Sequence, residues 1–291
     1  MKTNRAMTND PTIMPQPSIV DKLAHHSAGL FFLRNNAFHK WLRKTYSRLL
    51  TVCFPGGRLW TINNLDSFLF DSSLRMISHR HEPDIWLRLM NAIKPGDRIA
   101  DVGACVGVYS LSFAKRVGNS GQVVAFEPDP ENFRLLLRHI KLNDFEQRVL
   151  TVSKALSSQA NECLLFSACQ GPNSRVTQDT QSSISVQSTT LDSWFGTDGI
   201  DILKIDVEGF EQEVLTGAYN VLRHKNKPRL IYIELHPFLW PKEGIPNKCV
   251  KLYVCLTEPG YHLFAPCGAV VKEPSELAKL AGVFAIPAEN S

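Results

Sequence analysis

A chain of 291 residues has room for one α/β domain of ordinary size and a moderate N-terminal extension. With 44% hydrophobic and 21% charged residues it sits close to the average of a soluble globular protein and can bury a core of useful size. Its 32 basic and 28 acidic residues leave a formal charge of +4, too weak a bias to argue for nucleic acid or an anionic membrane surface as partner.

The N-terminus lacks the apolar core of a signal peptide. No run of 18 apolar residues occurs, so no integral membrane segment is expected. Seven cysteines are present without a C-x-x-C pair, which removes zinc-ribbon spacing and points to free thiols in a reducing, cytoplasmic setting. Residues 1–20 are polar and carry Pro11, Pro15 and Pro17, so a disordered segment is expected there. Residues 21–93 form an extension. Its first part, 21–50, reads as a helix with basic residues between Trp41, Leu42, Tyr46 and Leu49. Such a helix can lie on anionic lipid or grip RNA, but a solvated helix with one packed face is the favoured reading. A short strand over Leu59–Ile62 comes next, then a helix over Pro83–Ala92 with Pro83 in the first turn, where proline is tolerated.

Residues 94–288 alternate between strand and helix. Strands are expected at Arg98–Val102, Gln122–Glu127, Arg148–Leu156, Ile200–Val207 and Leu230–Leu235. Helices are expected at Val106–Arg116, Pro130–Leu142, from Gly209 to Leu222, and at Asn247–Thr257. Residues 157–199 look irregular, with two strand-like runs at Cys163–Phe166 and Ile184–Ser188. Further strand-like pieces stand at Tyr261–Phe264, Ala269–Val271 and Val283–Ile286. This alternation predicts parallel βαβ units closed by right-handed crossovers.

The segment Asp101-Val-Gly103-Ala-Cys-Val-Gly107 follows an apolar strand and opens a helix. Gly103 permits a sharp turn and a close backbone approach, and Gly107 a tight helix start. The next strand ends in Phe126-Glu127-Pro128, and a carboxylate there is placed to accept both hydroxyl hydrogens of a ribose. The dinucleotide fingerprint G-x-G-x-x-G is absent, which disfavours a nicotinamide-dependent oxidoreductase. An acid before the loop repels a pyrophosphate but suits a sulfonium, so S-adenosyl-L-methionine is the cofactor expected.

Several stretches together resemble the FkbM family of methyltransferases. They are His81-Glu82-Pro83, Lys94-Pro95-Gly96-Asp97, Asp101-Val-Gly-Ala, Ala125-Phe-Glu-Pro128, Ala155-Leu-Ser157, Thr190-Leu-Asp192 and, most distinctive, Lys204-Ile-Asp-Val-Glu-Gly-Phe-Glu211. The resemblance spans roughly residues 58–288 and implies a Rossmann-like class I methyltransferase: a seven-stranded, mostly parallel sheet with a reversed last strand and helices on both faces. It implies O-methylation of a hydroxyl on a sugar or natural-product-like small molecule. It places Asp101, Gly103 and Gly107 at the methionine part, Glu127 at the ribose, Ser153 to Ala155 near the adenine, and Glu82 over the pocket. Two departures stand out: Cys105 and His139 occupy positions where the family usually shows Asn. Cys105 lies in the loop expected to touch the cofactor, and it is the one sequence hint for a non-catalytic S-adenosylmethionine-binding module.

A hydroxyl is a poor nucleophile at neutral pH, so a base or metal is needed to assist it. Asp206 and Glu208, two apart, end one expected strand, and Glu234 and His236, two apart, end the next. The carboxyl ends of neighbouring strands face the ligand crevice, so the four side chains are expected to converge. His236 is read as the leading base with Glu234 or Glu208 holding its ring. Asp206 is read as a contact to the cofactor amine or the acceptor. The plainer readings are a helix start for Glu208 and a backbone-bonded loop residue for His236. A metal on Asp206, Glu208 and His236 is chemically possible, but no motif demands one and none is expected. Trp240 is read as core, with stacking on an acceptor ring as the alternative. His79, Arg80 and His81 are read as a solvated loop, with guidance of an anionic acceptor as the alternative.

Overall fold

The computed structural model describes residues 45, 49–50, 52–74, 79–167, 174–177 and 183–290. Residues 1–50 and 51–291 separate as two compact units, and every sheet among the described residues belongs to the second. The N-terminal segment expected to be disordered and the helix expected over 21–50 lie outside the described residues, apart from Thr45, Leu49 and Leu50.

A hairpin of β1 (Arg58–Ile62) and β2 (Asp66–Phe70) leads into α1 (Pro83–Ala92). Then come β3 (Arg98–Val102), α2 (Val108–Val117), β4 (Gln122–Phe126), α3 (Pro130–Leu142) and β5 (Val149–Val152). A small sheet of β6 (Ala155–Leu156), β7 (Cys163–Ser167), β8 (Arg175–Val176) and β9 (Ile184–Thr189) interrupts the alternation. The chain continues through α4 (Leu191–Phe195), β10 (Ile202–Ile205), α5 (Glu211–Thr216), α6 (Tyr219–Arg223) and β11 (Leu230–Glu234). It finishes with α7 (Ile245–Thr257), β12 (Tyr261–Phe264) and β13 (Gly282–Pro287).

The main sheet has seven strands in the order β12-β13-β11-β10-β3-β4-β5. Strands β10, β11, β3, β4 and β5 pair in parallel, and β13 runs antiparallel to both neighbours. This is the Rossmann-like class I methyltransferase order, with β13 as the reversed strand inserted beside β11. The order reverses at β3, the topological switch point, so ligands are expected outside the carboxyl ends of β3, β4 and β10.

Alternation along the strands divides the core. Ala100, Val102, Leu203, Ile205, Ile231 and Ile233 face one layer with α4 to α7. Ile99, Ala125, Ile202, Tyr232 and Phe284 face the other, with α1, α2 and α3. A charge at Asp101 or Lys204 therefore continues the second face to its carboxyl end.

Several elements differ from expectation. The strand expected over Arg148–Leu156 is two: β5 stays on the edge of the main sheet, while β6 pairs with β9 in the small sheet. Within 157–199 the two expected strand-like runs are strands, β7 and β9, and what differs is that β6 and β8 join them in one sheet. The alternation of Ser, Thr and Gln with apolar residues in β9 puts Val186 inward between exposed Ser185 and Gln187, which makes a real sheet. Strand β2 and helix α4 add to the expected elements; α4 is capped by Thr190, whose side chain accepts from Ser193 N–H. The helix expected to reach Leu222 is split into α5 and α6 around Gly217. Ala269–Val271 contributes only an isolated bridge, Phe264 to Val270.

Candidate active site

The loop after β3 is shaped by three left-handed residues, Gly103 (φ 76), Cys105 (φ 51) and Gly107 (φ 93). A Cβ on Gly103 would stand 1.7 Å from the carbonyl oxygen of Asp206, so the demand for glycine comes from the neighbouring strand's backbone. Gly107 starts α2 against Leu136 of α3. Cys105 holds a conformation that Asn tolerates better than most residues, which gives the departure from the family a physical meaning. Its thiol is pushed up to about 12, first by burial and then by the charge of Glu127, so it stays neutral. His139, the other departure, is fully buried on α3 and its Nδ1 donates to the Val106 carbonyl at 2.7 Å, tying the loop to the helix.

Glu127 follows β4 and is 4% exposed. Its carboxylate accepts from the Cys105 N–H at 2.7 Å and the Asp129 N–H at 2.8 Å. Burial raises its pKa to about 7, while the two amides pull the other way. Asp129 next to it caps α3, accepting from the N–H groups of Glu131 and Asn132, and takes a bond from Ser174 beside the small sheet. These elements line an open cleft. Gly103, Cys105, Glu127, Ala155, Asp206 and Glu208 are among its lining residues. Phe166 and Val176 of the small sheet join them, a contribution that sequence periodicity does not reveal.

Other expected cofactor residues stand elsewhere. Ser153 is exposed and takes no part in the lining; Lys154, Ala155 and Leu156 do, because the chain leaves the sheet edge after Val152. Asp101 is fully enclosed behind the loop. Its Oδ2 accepts from Ser110 at 2.6 Å, and its Oδ1 lies 3.6 Å from Lys204 Nζ. Burial raises its pKa, with the Lys204 charge opposing. Lys204 and Asp101 are register partners on adjacent strands, which explains the pair. Lys204 is 2% exposed, and its Nζ also reaches Asp206 Oδ2 at 3.3 Å and the Gly103 carbonyl at 3.4 Å. Burial lowers its pKa, but the carboxylates of Asp206, Asp101, Glu234 and Glu82 outweigh that and raise it. Its ammonium also faces the Tyr109 ring at 4.9 Å. Glu82, with φ 38 at the start of α1, accepts from the Tyr109 hydroxyl at 2.6 Å.

The ends of β10 and β11 bring the four expected catalytic side chains together around His236 Nε2. Glu208 lies at 3.6 Å, Glu234 at 3.7 Å and Asp206 at 3.9 Å. The ring is held from its other side by Glu211, whose Oε1 stands 2.9 Å from Nδ1, and not by Glu234 or Glu208 as the sequence suggests. Glu211 is fully buried and also accepts from Gly209 N–H and from the Trp240 indole. Its spacing within Glu208-Gly-Phe-Glu211 hints at a helix start, but nothing local points to a partner 25 residues away. Burial disfavours a charged His236, yet the Glu211 bond and the nearby carboxylates prevail and push its pKa up to about 9. That rise departs from the unperturbed base expected. Glu234 is raised to about 8 by burial and by the charges of Asp206 and Glu82, and Glu208 is raised by burial. Among the described residues, Asp206, Glu234 and His236 form a donor set with atoms within 4.8 Å of one another, a different triplet from Asp206, Glu208 and His236.

Trp240 is buried, while Phe238 beside His236 is 78% exposed and takes the rim position. His81 packs against Trp86 and Tyr109, and burial lowers its pKa.

The strand order, the glycine loop and the acid after β4 define a nucleoside-binding class I methyltransferase fold. Residues 101–263 match the methyltransferase FkbM domain, and the chain belongs to that family. It is 25% identical over 167 residues to the hexuronic acid methyltransferase AglP of Haloferax volcanii, covering 56% of this chain and 66% of that protein. It is 28% identical over 159 residues to the 2-O-methyltransferase NoeI of Sinorhizobium fredii, covering 48% and 64%. The chain thus spans just under two thirds of each relative's length. A solved S-adenosylmethionine-dependent O-methyltransferase from Thermotoga maritima is similar at 16% identity and a TM-score of 0.41, over 74% of this chain and 67% of that one. No described helix is long and apolar enough to cross a membrane.

Proposed function

We propose that this protein is an S-adenosyl-L-methionine-dependent O-methyltransferase acting on a hydroxyl of a sugar-like small molecule. The observation that carries the reading is Glu127: a buried carboxylate after β4, gripped by the amides of Cys105 and Asp129, on the wall of the cleft beside the glycine loop. Its remaining acceptor capacity suits a ribose diol. The acidic side chains Asp206 and Glu208 on the same wall suit a sulfonium and an ammonium and would repel a pyrophosphate. The hexuronic acid methyltransferase AglP supports a sugar-like acceptor, and the 2-O-methyltransferase NoeI supports oxygen as the methylated atom.

In this reading Glu127 holds the ribose, and Ala155 and Leu156 flank the adenine. Lys204 fixes the Gly103 carbonyl and Asp206 in one frame. When bound, S-adenosylmethionine supplies an activated methyl carbon: the acceptor oxygen bonds to it, the S–C electron pair stays on sulfur, and the hydroxyl proton must leave. Glu208, which lines the cleft beside His236, takes that proton. Asp206 orients the acceptor hydroxyl, and Glu211 orients His236. Residues 94–288 form the methyltransferase domain in this assignment. The six described cysteines are free thiols, which supports a cytoplasmic setting.

The test is calorimetry with S-adenosylhomocysteine, followed by transfer of labelled methyl to a panel of sugars. Folded protein that shows no affinity for the nucleoside would remove the reading.

A further inference from the structure

We infer that Asp206, Glu234 and His236 hold a divalent cation beside the point of methyl transfer, with Glu211 positioning the imidazole for it. This rests on the methyltransferase reading above. Two carboxylate oxygens and one imidazole nitrogen already lie within 4.8 Å of one another. Small side-chain rotations bring all three to the roughly 2.0–2.6 Å of cation–oxygen and cation–nitrogen bonds. They come from the ends of adjacent strands β10 and β11, so the set stands on rigid elements.

A second observation concerns the ring itself. His236 is 5% exposed, and its Nδ1 is bonded to the fully buried Glu211. Its Nε2 has no hydrogen bond among the described residues and points among carboxylate oxygens at 3.6 to 3.9 Å. A cation at the centre of the triplet would sit on the side of the ring that Nε2 turns toward those carboxylates. With the Nδ1 proton given to Glu211, Nε2 then presents its lone pair to the centre of the triplet. This is the carboxylate–histidine arrangement that orients imidazole ligands of metals. Glu211 cannot swing away, because Gly209 N–H and the Trp240 indole hold both of its oxygens.

The donor set of two oxygens and one nitrogen suits Mn²⁺ and related divalent ions. Three protein ligands leave positions for two oxygens of the acceptor, so the substrate class narrows to adjacent hydroxyls, as on a sugar ring. The cation would lower the pKa of the coordinated hydroxyl and fix its distance from the methyl carbon. Glu208 lies outside the triplet and stays free to receive the proton.

The experiment is a titration of the full-length protein with Mn²⁺ followed by electron paramagnetic resonance, alongside S-adenosylhomocysteine calorimetry on the same samples. One Mn²⁺ per chain is expected. Its affinity should fall by about 10- to 100-fold in Glu211→Gln and at least as far in Glu234→Gln, a substitution at a partly exposed residue that keeps its volume. Nucleoside affinity within about twofold of the parent shows that each variant is folded with its cofactor half intact. Mn²⁺ that binds nowhere, or binds the variants as well as the parent while the nucleoside still binds, overturns the cation and leaves the methyltransferase reading standing. A parent protein that binds no nucleoside overturns both.

Discussion

The two halves of the site are built from different materials. Along β3 and β4 the cleft is made of backbone: amides of Cys105 and Asp129, a glycine turn, and one carboxylate between them. Along β10 and β11 it is made of side chains that meet across long separations, with His236 enclosed by Glu208, Asp206, Glu234 and Glu211. A backbone-built half tolerates little change of residue type where φ is positive. A side-chain half tolerates change of fold poorly but can be retuned by single substitutions.

The largest expected effect is on the backbone side. Gly103→Ala places a methyl group against the Asp206 carbonyl in a left-handed conformation, and should cost about 3 kcal/mol or more of stability by chemical denaturation. A variant within about 1 kcal/mol of the parent would erase the contrast. Glu127→Ala removes a charged acceptor worth about 1.5–3 kcal/mol, so calorimetry should show S-adenosylhomocysteine binding weakened roughly 10- to 100-fold. On the side-chain half, Glu211→Gln should lower kcat by roughly tenfold or more with KM for the cofactor little changed, and Glu211→Asp should recover part of the loss. A change confined to cofactor KM would place Glu211 in the wrong half.

Acidity sharpens the same comparison. Glu127 is raised to about 7 in the folded chain from an ordinary 4.5, first by burial. Its ionised form, the better ribose acceptor, is lost as pH falls through about 7, so nucleoside affinity measured between pH 8 and 5.5 should decline on the acid side. Stability runs the opposite way. Folding favours the protonated carboxyl, so this group's contribution is full below about 4.5 and declines as pH rises through about 7. Affinity that is flat across this range would mean Glu127 does not meet the ribose. The smallest effect belongs to Cys105→Asn, which relieves a left-handed thiol residue. It should raise stability by a few tenths of a kcal/mol, on the order of 1 °C in melting temperature.

The same division decides what the sequence discloses. The glycine loop, the acid after β4 and α3 are legible because each depends on neighbours close in the chain. Pro130–Leu142 comes out with its observed ends because Asp129 caps it locally. The four side chains at the ends of β10 and β11 can be brought together because strand alternation and sheet order dictate where such ends point. Glu211 as the partner of His236 cannot, since packing alone brings them together, and Lys204 as the clamp on Asp101 needs the pairing register of β10 with β3, which no local pattern discloses. The small sheet is legible in half: β7 and β9 stand at the two expected strand-like runs, while the two-residue strands β6 and β8 are too short to leave a pattern. The sequence puts Asp101 on the cleft wall because its charge is legible there and the enclosure by Ser110 and Lys204 is not.

The closeness of Gly103 to the main chain at Asp206 has a mechanical corollary. With no room between them, neither loop can shift alone: whatever seats a nucleoside against one also sets the height of the other, which carries an acceptor-facing carboxylate. Occupancy at either end should then strengthen the grip at the other by the same factor, as reciprocity demands. The two reactants would be registered on one shared ledge, and their alignment would be a property of the scaffold before any chemistry begins.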